Sequence, residues 1–187
     1  MRAETTAMDT GGVRQPATIR VWDPLVRIFH WSLVALFTIA FLTSEDWGSL
    51  HRAAGYAVMA LLAIRILWGL AGPRHARFSD FLYPPGEIAG FLRDSLAMKA
   101  KRYVGHNPAG GIMVIALILS AGTACVTGYM MTTDRFWGVE WVNGLHALSA
   151  YGTLVLVGVH VIGVVLASLE HRENLIKAMF TGRKRAP

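Results

Sequence analysis

Seven histidines occur in the chain, and four of them, His30, His51, His146 and His160, fall in or at the ends of long apolar runs. An imidazole in such surroundings is costly and usually has a partner. Taken singly, each is as often a hydrogen-bonded packing residue as a metal ligand, so their arrangement must decide. His146 and His160 are fourteen residues apart in one uncharged run. At 100° per residue the azimuth returns to within about 40°, and the rise separates them by roughly 21 Å. They therefore share one helix face, near opposite ends of a membrane-crossing helix.

The other two match these depths. His51 opens the second apolar run, level with His146. His30 is about five residues into the first run, roughly 8–10 Å deep, against roughly 12 Å for His160. Two depth-matched pairs result, His30 with His160 and His51 with His146. Two neutral imidazoles on opposite faces of a porphyrin make a low-spin haem suited to electron transfer, and axial ligand identity is a main control of its potential. The expectation is two non-covalent, bis-histidine b-type haems. No C-x-x-C-H sequence occurs and Cys125 is the single cysteine, which excludes covalent c-type attachment and an intrachain disulfide.

The elements that must hold these side chains are apolar helices. The chain has 187 residues, 53% hydrophobic and 16% charged, with mean hydropathy +0.41, a composition typical of membrane proteins. Four runs, at about 25–42, 53–72, 109–131 and 144–169, approach the roughly 20 residues needed to cross a bilayer. The fold class expected is an all-α, up-and-down, four-helix integral membrane bundle over residues 21–170. A polar, disordered tail without a cleaved leader is expected at 1–20, and a basic tail at 171–187. Asn107-Pro108 predicts an N-cap followed by proline at the first helical position. Ile88, Phe91, Leu92 and Leu96 predict a short amphipathic helix on the membrane surface, and the segment around Leu175 and Phe180 predicts another.

Charge sets the topology. Fourteen of the eighteen Lys and Arg residues lie in the N-terminal tail, the second loop and the C-terminal tail. Arg52 and Arg135 alone occupy the first and third loops, and Arg27 and Arg65 lie inside spans. By the positive-inside rule both termini face the cytoplasm, which puts His30 and His160 at the inner level and His51 and His146 at the outer one. The net charge of +6 is thus topological rather than a sign of nucleic-acid binding, since no basic recognition helix accompanies it. Trp22, Trp31, Trp47, Trp68, Trp137 and Trp141 fall near the two interfaces as aromatic anchors.

Around the ligands, Arg65 lies fourteen residues after His51 at the inner level. It either pairs with an inner-haem propionate or snorkels to the interface; Arg27 and Arg52 are similar candidates. Gly55 and Gly163, on the ligand faces, would let a flat macrocycle approach. His106, just before the third span, is the competing inner ligand, expected to sit too shallow to face His160. A metal-ion transporter is the alternative from another class. It wants carboxylates beside the histidines, and spans two to four contain no Asp or Glu. An anchor subunit with structural histidines is a third reading.

The run Val21-Trp22-Asp23-Pro24 with Arg27, His30 and Trp31, the His51-to-Gly55 start of the second helix, and the His146/His160 pair resemble the prokaryotic di-haem cytochrome b family. That family includes the b-type cytochrome subunit of nickel–iron hydrogenases and the bacterial cytochrome b561 proteins. The stretches ARFSDF (76–81), GHNPAGG (105–111) and HRENLIKAM (171–179) resemble members that work beside periplasmic c-type cytochromes. The resemblance implies electron exchange between the membrane quinone pool and a partner, either a hydrogenase-type complex or a periplasmic c-type cytochrome. It implies residence in the bacterial inner membrane and leaves a homodimer open. Stand-alone members instead act as superoxide or quinone oxidoreductases. An electron-transfer subunit, rather than an enzyme with its own substrate site, is the expectation.

Overall fold

The computed structural model describes residues 17–186. Four of its helices are long and apolar enough to cross a membrane: α1 (Pro24–Leu42), α2 (Gly48–Ala71), α4 (Pro108–Met130) and α5 (Glu140–Glu170). Two shorter helices, α3 (Pro85–Leu96) and α6 (Leu175–Thr181), two 3-10 turns (Arg74–Ala76 and Phe78–Asp80) and two strands, β1 (Thr18–Arg20) and β2 (Arg183–Arg185), complete the described residues. The all-α, four-span architecture is what the chain adopts.

Local chemistry starts each span. Asp23 caps α1 by accepting from the Val26 N–H at 3.1 Å, with Pro24 behind it. Asn107 does the same for α4, accepting from Gly110 N at 2.6 Å. The helices α2 and α5 both begin about one turn before their apolar runs, at Gly48 and Glu140. Hydropathy marks where a chain meets hydrocarbon, whereas a helix continues until its hydrogen bonds lack partners. Glu140 in the first turn of α5 also suits the helix dipole. At 31 residues, α5 spans about 46 Å and overruns a hydrocarbon core of about 30 Å.

Packing runs α1 on α2, α2 on α4 and α4 on α5. Val58, Leu62 and Ala121 form the buried centre, with Phe29, Leu33, Leu36, Ile118 and Cys125 around them. Between α4 and α5, small hydroxylated residues let the helices approach. Thr153 Oγ1 donates to Ser120 Oγ at 2.9 Å, and Ser120 Oγ to the Ser149 carbonyl at 3.1 Å. Many large apolar side chains, among them Ile28, Leu67, Leu148 and Val155, lie exposed on the outside, as lipid-facing surface requires. Across the gap from α1 to α5, side chains rather than backbones meet: Phe41 touches Tyr151 edge-on at 5.7 Å.

Both described termini lie at one end. β1 and β2 pair antiparallel, with Ile19 opposite Lys184. Residues 1–16 of the expected polar tail lie outside the described residues, but Thr18–Arg20 at its end are a strand. Their backbone groups find partners in the C-terminal segment, which no local signal announces. Gly182 makes the turn between α6 and β2 at φ +77°, where a Cβ would also meet the Trp22 carbonyl at 2.6 Å. The Gly182 carbonyl accepts from Val21 N and Trp22 N at 2.8 and 3.1 Å.

A polar cap completes this basic end. Glu173 binds Arg102 at 3.1 Å and accepts from Arg185 N at 2.7 Å, with Lys184 3.8 Å away. Burial opposes the charge on Glu173, but these hydrogen bonds and cations together hold its carboxyl below the usual value. The amphipathic helix expected in the second loop is α3, with Phe91 buried. It is tied down where Ala100 N donates to Glu170 at 2.6 Å.

Candidate functional site

His51 and His146 meet at the end opposite the cap. Their ring centroids are 6.0 Å apart. His51 Nδ1 donates to the Ala40 carbonyl of α1 at 2.8 Å, and His146 Nδ1 donates to the Ala124 carbonyl of α4 at 2.9 Å. A carbonyl can only accept, so each ring carries a proton on Nδ1, the tautomer that leaves Nε2 to face a ligand. Such main-chain anchoring of the second nitrogen is how ligating histidines are oriented. Thr127 Oγ1 lies 3.3 Å from His146 Nδ1. Gly128 makes room for the ring, since a Cβ there would stand 3.0 Å from His146 Cε1.

Beside this pair is a cavity of about 490 Å³, lined by His51, His146, Gly55, Phe37, Phe41 and Tyr151, with Arg52 and Glu45 toward its mouth. Gly55 is thus where an open ligand face was expected, and an added Cβ would meet nothing within 4 Å. The same holds at Gly163.

His30 and His160 form the second pair, with ring centroids 6.4 Å apart. Trp31 stands edge-on to His30 at 5.0 Å, and Phe180 of α6 stacks on Trp31 at 4.2 Å. His30 Nδ1 is buried without a hydrogen-bond partner. On α5 the two pairs are fourteen residues apart, about 21 Å along the axis.

Arg65 is 3% exposed, its Nη1 unpartnered and its guanidinium 5.0 Å over the Phe78 ring. It does not snorkel into solvent. Arg27 donates to the Phe180 carbonyl, and Arg52 is exposed at the cavity mouth. His106 lies just before α4, at the capped end of the bundle. It is enclosed between Trp22 at 4.7 Å and Phe81 at 4.5 Å. The cap folds over this loop, and hydropathy along the chain carries no signal of that.

Whether the residues fit a haem is a question of distance and atom type. An iron with two imidazole nitrogens at about 2 Å each needs ring centroids about 6 Å apart. Both pairs meet this, and the far-end pair adds Nε2 atoms left to face a ligand and an aromatic-lined slot. Among the described residues, no three or more His, Cys, Asp or Glu converge on a metal ion. Each pair offers two imidazoles alone.

Residues 21–182 match the prokaryotic cytochrome b561 family. Among curated relatives, a probable Ni/Fe-hydrogenase B-type cytochrome subunit of Rhizobium leguminosarum bv. viciae is 24% identical over 97% of this chain and 95% of its own length. Proteins of the same description from Rhodobacter capsulatus and Cupriavidus necator are 22% and 26% identical, covering 98% and 96% of this chain and 88% and 93% of their own. No solved structure matches. With four membrane-length helices and this match over most of its length, the chain belongs to the prokaryotic cytochrome b561 family, multi-pass membrane b-type cytochromes whose cofactor is haem b.

Proposed function

We propose that the chain holds two haems b and carries electrons across the bacterial inner membrane, between the quinone pool and a redox protein docked outside. His51 and His146 ligate the outer haem, and His30 and His160 the inner one. The basic end, with both termini, faces the cytoplasm by the positive-inside rule. The observation that carries this reading is the pair of imidazole–imidazole approaches, 6.0 and 6.4 Å between centroids, on levels about 21 Å apart.

When bound, haem b supplies a reversible one-electron couple. The protein's part is to clamp and tune. The Ala40 and Ala124 carbonyls fix the tautomer and plane of the outer ligands. Trp31 packs edge-on to the inner ligand His30, and Phe180 of the cap stacks on Trp31. Arg65, buried at the level of His160, is the propionate partner. The names of the hydrogenase-subunit relatives support a hydrogenase-type complex as the docked partner.

The test is haem content and spectrum of the detergent-extracted protein. Two haems per chain with bis-imidazole low-spin spectra are expected. A colourless preparation, or one haem per chain, ends the two-centre reading.

A further inference from the structure

Five buried side-chain nitrogens lack a hydrogen-bond partner among the described residues: Arg27 Nε, His30 Nδ1, Trp31 Nε1, Arg65 Nη1 and His106 Nδ1. All five belong to the basic end. At the far end the His51 and His146 Nδ1 atoms are tied to carbonyls, and the cation lining the cavity there, Arg52, is solvent-exposed, as is Glu45 in the same lining.

Arg65 is the strongest of the five. It lies on the interior face of α2 with Ala54, Val58 and Leu62, about 21 Å along the axis from His51, which puts it level with His160. The carboxylate whose charge reaches it, Asp23, is already engaged by Val26 N at 3.1 Å and Trp68 Nε1 at 3.4 Å. An enclosed cation needs an anion. Arg65 and His106 flank one aromatic cluster: the guanidinium lies 5.0 Å over Phe78, Phe78 meets Phe81 at 5.8 Å, and Phe81 meets His106 at 4.5 Å, leaving the His106 Nδ1 buried and unpartnered.

We propose that Arg65 and His106 together seat a carboxylate of the haem held by His30 and His160, and that this buried seat makes that haem the higher-potential of the two. The inference rests on the two-centre reading. Reduction removes one unit of positive charge from a haem, so a nearby cation favours the reduced state. Arg65 acts through a desolvated interior and Arg52 through water, where the same charge counts for far less. The difference makes transfer toward the basic end downhill.

His106 contributes a donor rather than a charge. Burial, then the cations Arg65 and Lys184 with a smaller effect of His75, outweigh Asp80 and push its pKa down to about 3. The ring is therefore neutral across the physiological range, and the seat does not titrate there.

The experiment is a spectroscopic redox titration of the purified full chain, with His51→Ala and His160→Ala identifying which haem has which potential. The higher midpoint should survive in His51→Ala and vanish in His160→Ala. Arg65→Met should shift the reduction equilibrium of that haem at least tenfold, about 59 mV downward for a one-electron couple, and leave the other unmoved. Arg65→Lys should keep most of the gap. His106→Leu should lower the same midpoint by less, and His106→Gln, which keeps an N–H donor, should restore it. Loss of the basic-end haem in Arg65→Met but not in Arg65→Lys also supports the seat, because charge is then what retains the cofactor. The inference is overturned by an unchanged gap in Arg65→Met, by loss of that haem in both Arg65 variants, or by a higher midpoint at the far end. One haem per wild-type chain would instead remove the two-centre reading beneath it.

Discussion

The two histidine pairs are alike in ring separation and unlike in how they are held. At the far end, each Nδ1–H is fixed by a carbonyl of a neighbouring helix, Ala40 for His51 and Ala124 for His146. At the basic end, His30 Nδ1 has no partner, and the ring is packed edge-on by Trp31, which Phe180 of the cap backs in turn. The first arrangement is built from transmembrane backbone alone. The second depends on residues 175–185 folding back over the bundle. One histidine pair is therefore set by span packing, and the other also by the clasp of the chain's two ends.

The sharpest way to break this comparison is to remove ligands. His51→Ala or His146→Ala should eliminate one haem and leave the other spectrally intact, and His30→Ala or His160→Ala should do the reverse. Combining one substitution from each pair should eliminate both, as read by haem stoichiometry and absorbance. A full haem complement in His51→Ala would dissolve the pairing.

A smaller perturbation addresses orientation. Gly128→Ala places a methyl about 3 Å from the His146 ring and should turn it off the Ala124 carbonyl. Reduced occupancy and a shifted potential are expected at the far-end haem alone. If both haems respond equally, the two centres are not independently built.

The cap can be loosened chemically. Glu173 has a depressed pKa, so its contribution is complete above its ordinary value of 4.5 and is lost as pH falls through the lower folded value. Acidification from pH 4.5 downward should therefore progressively loosen the C-terminal segment before the spans unfold. Glu173→Gln should cost about 1–2 kcal/mol at neutral pH. Limited proteolysis of the tail reads out both, and in Glu173→Gln at neutral pH the far-end haem spectrum should not change. The smallest effect is expected from Asn107→Ala, which removes the α4 cap at a cost of about 1 kcal/mol. Thermal denaturation measures it.

Much of this was legible from residue order. Spans are readable because transfer into hydrocarbon adds up locally along the chain, and no distant residue supplies or removes that free energy. The depth matching of His30 with His160 and of His51 with His146 follows from the helical rise alone. The Asn107 cap and the amphipathic α3 were likewise visible in a few adjacent residues. The ends of α2 and α5 were less so, because helices outrun the apolar runs that reveal them.

Tertiary structure decided what depends on the rotation and approach of helices. It alone turns His51 and His146 toward the Ala40 and Ala124 carbonyls, brings Gly128 against the His146 ring, and leaves Arg65 enclosed instead of snorkelling. It alone pairs Ile19 with Lys184 and seals His106 between Trp22 and Phe81. A free energy summed residue by residue locates an imidazole in the membrane. The partner of its second nitrogen is chosen by contacts between residues far apart in the chain.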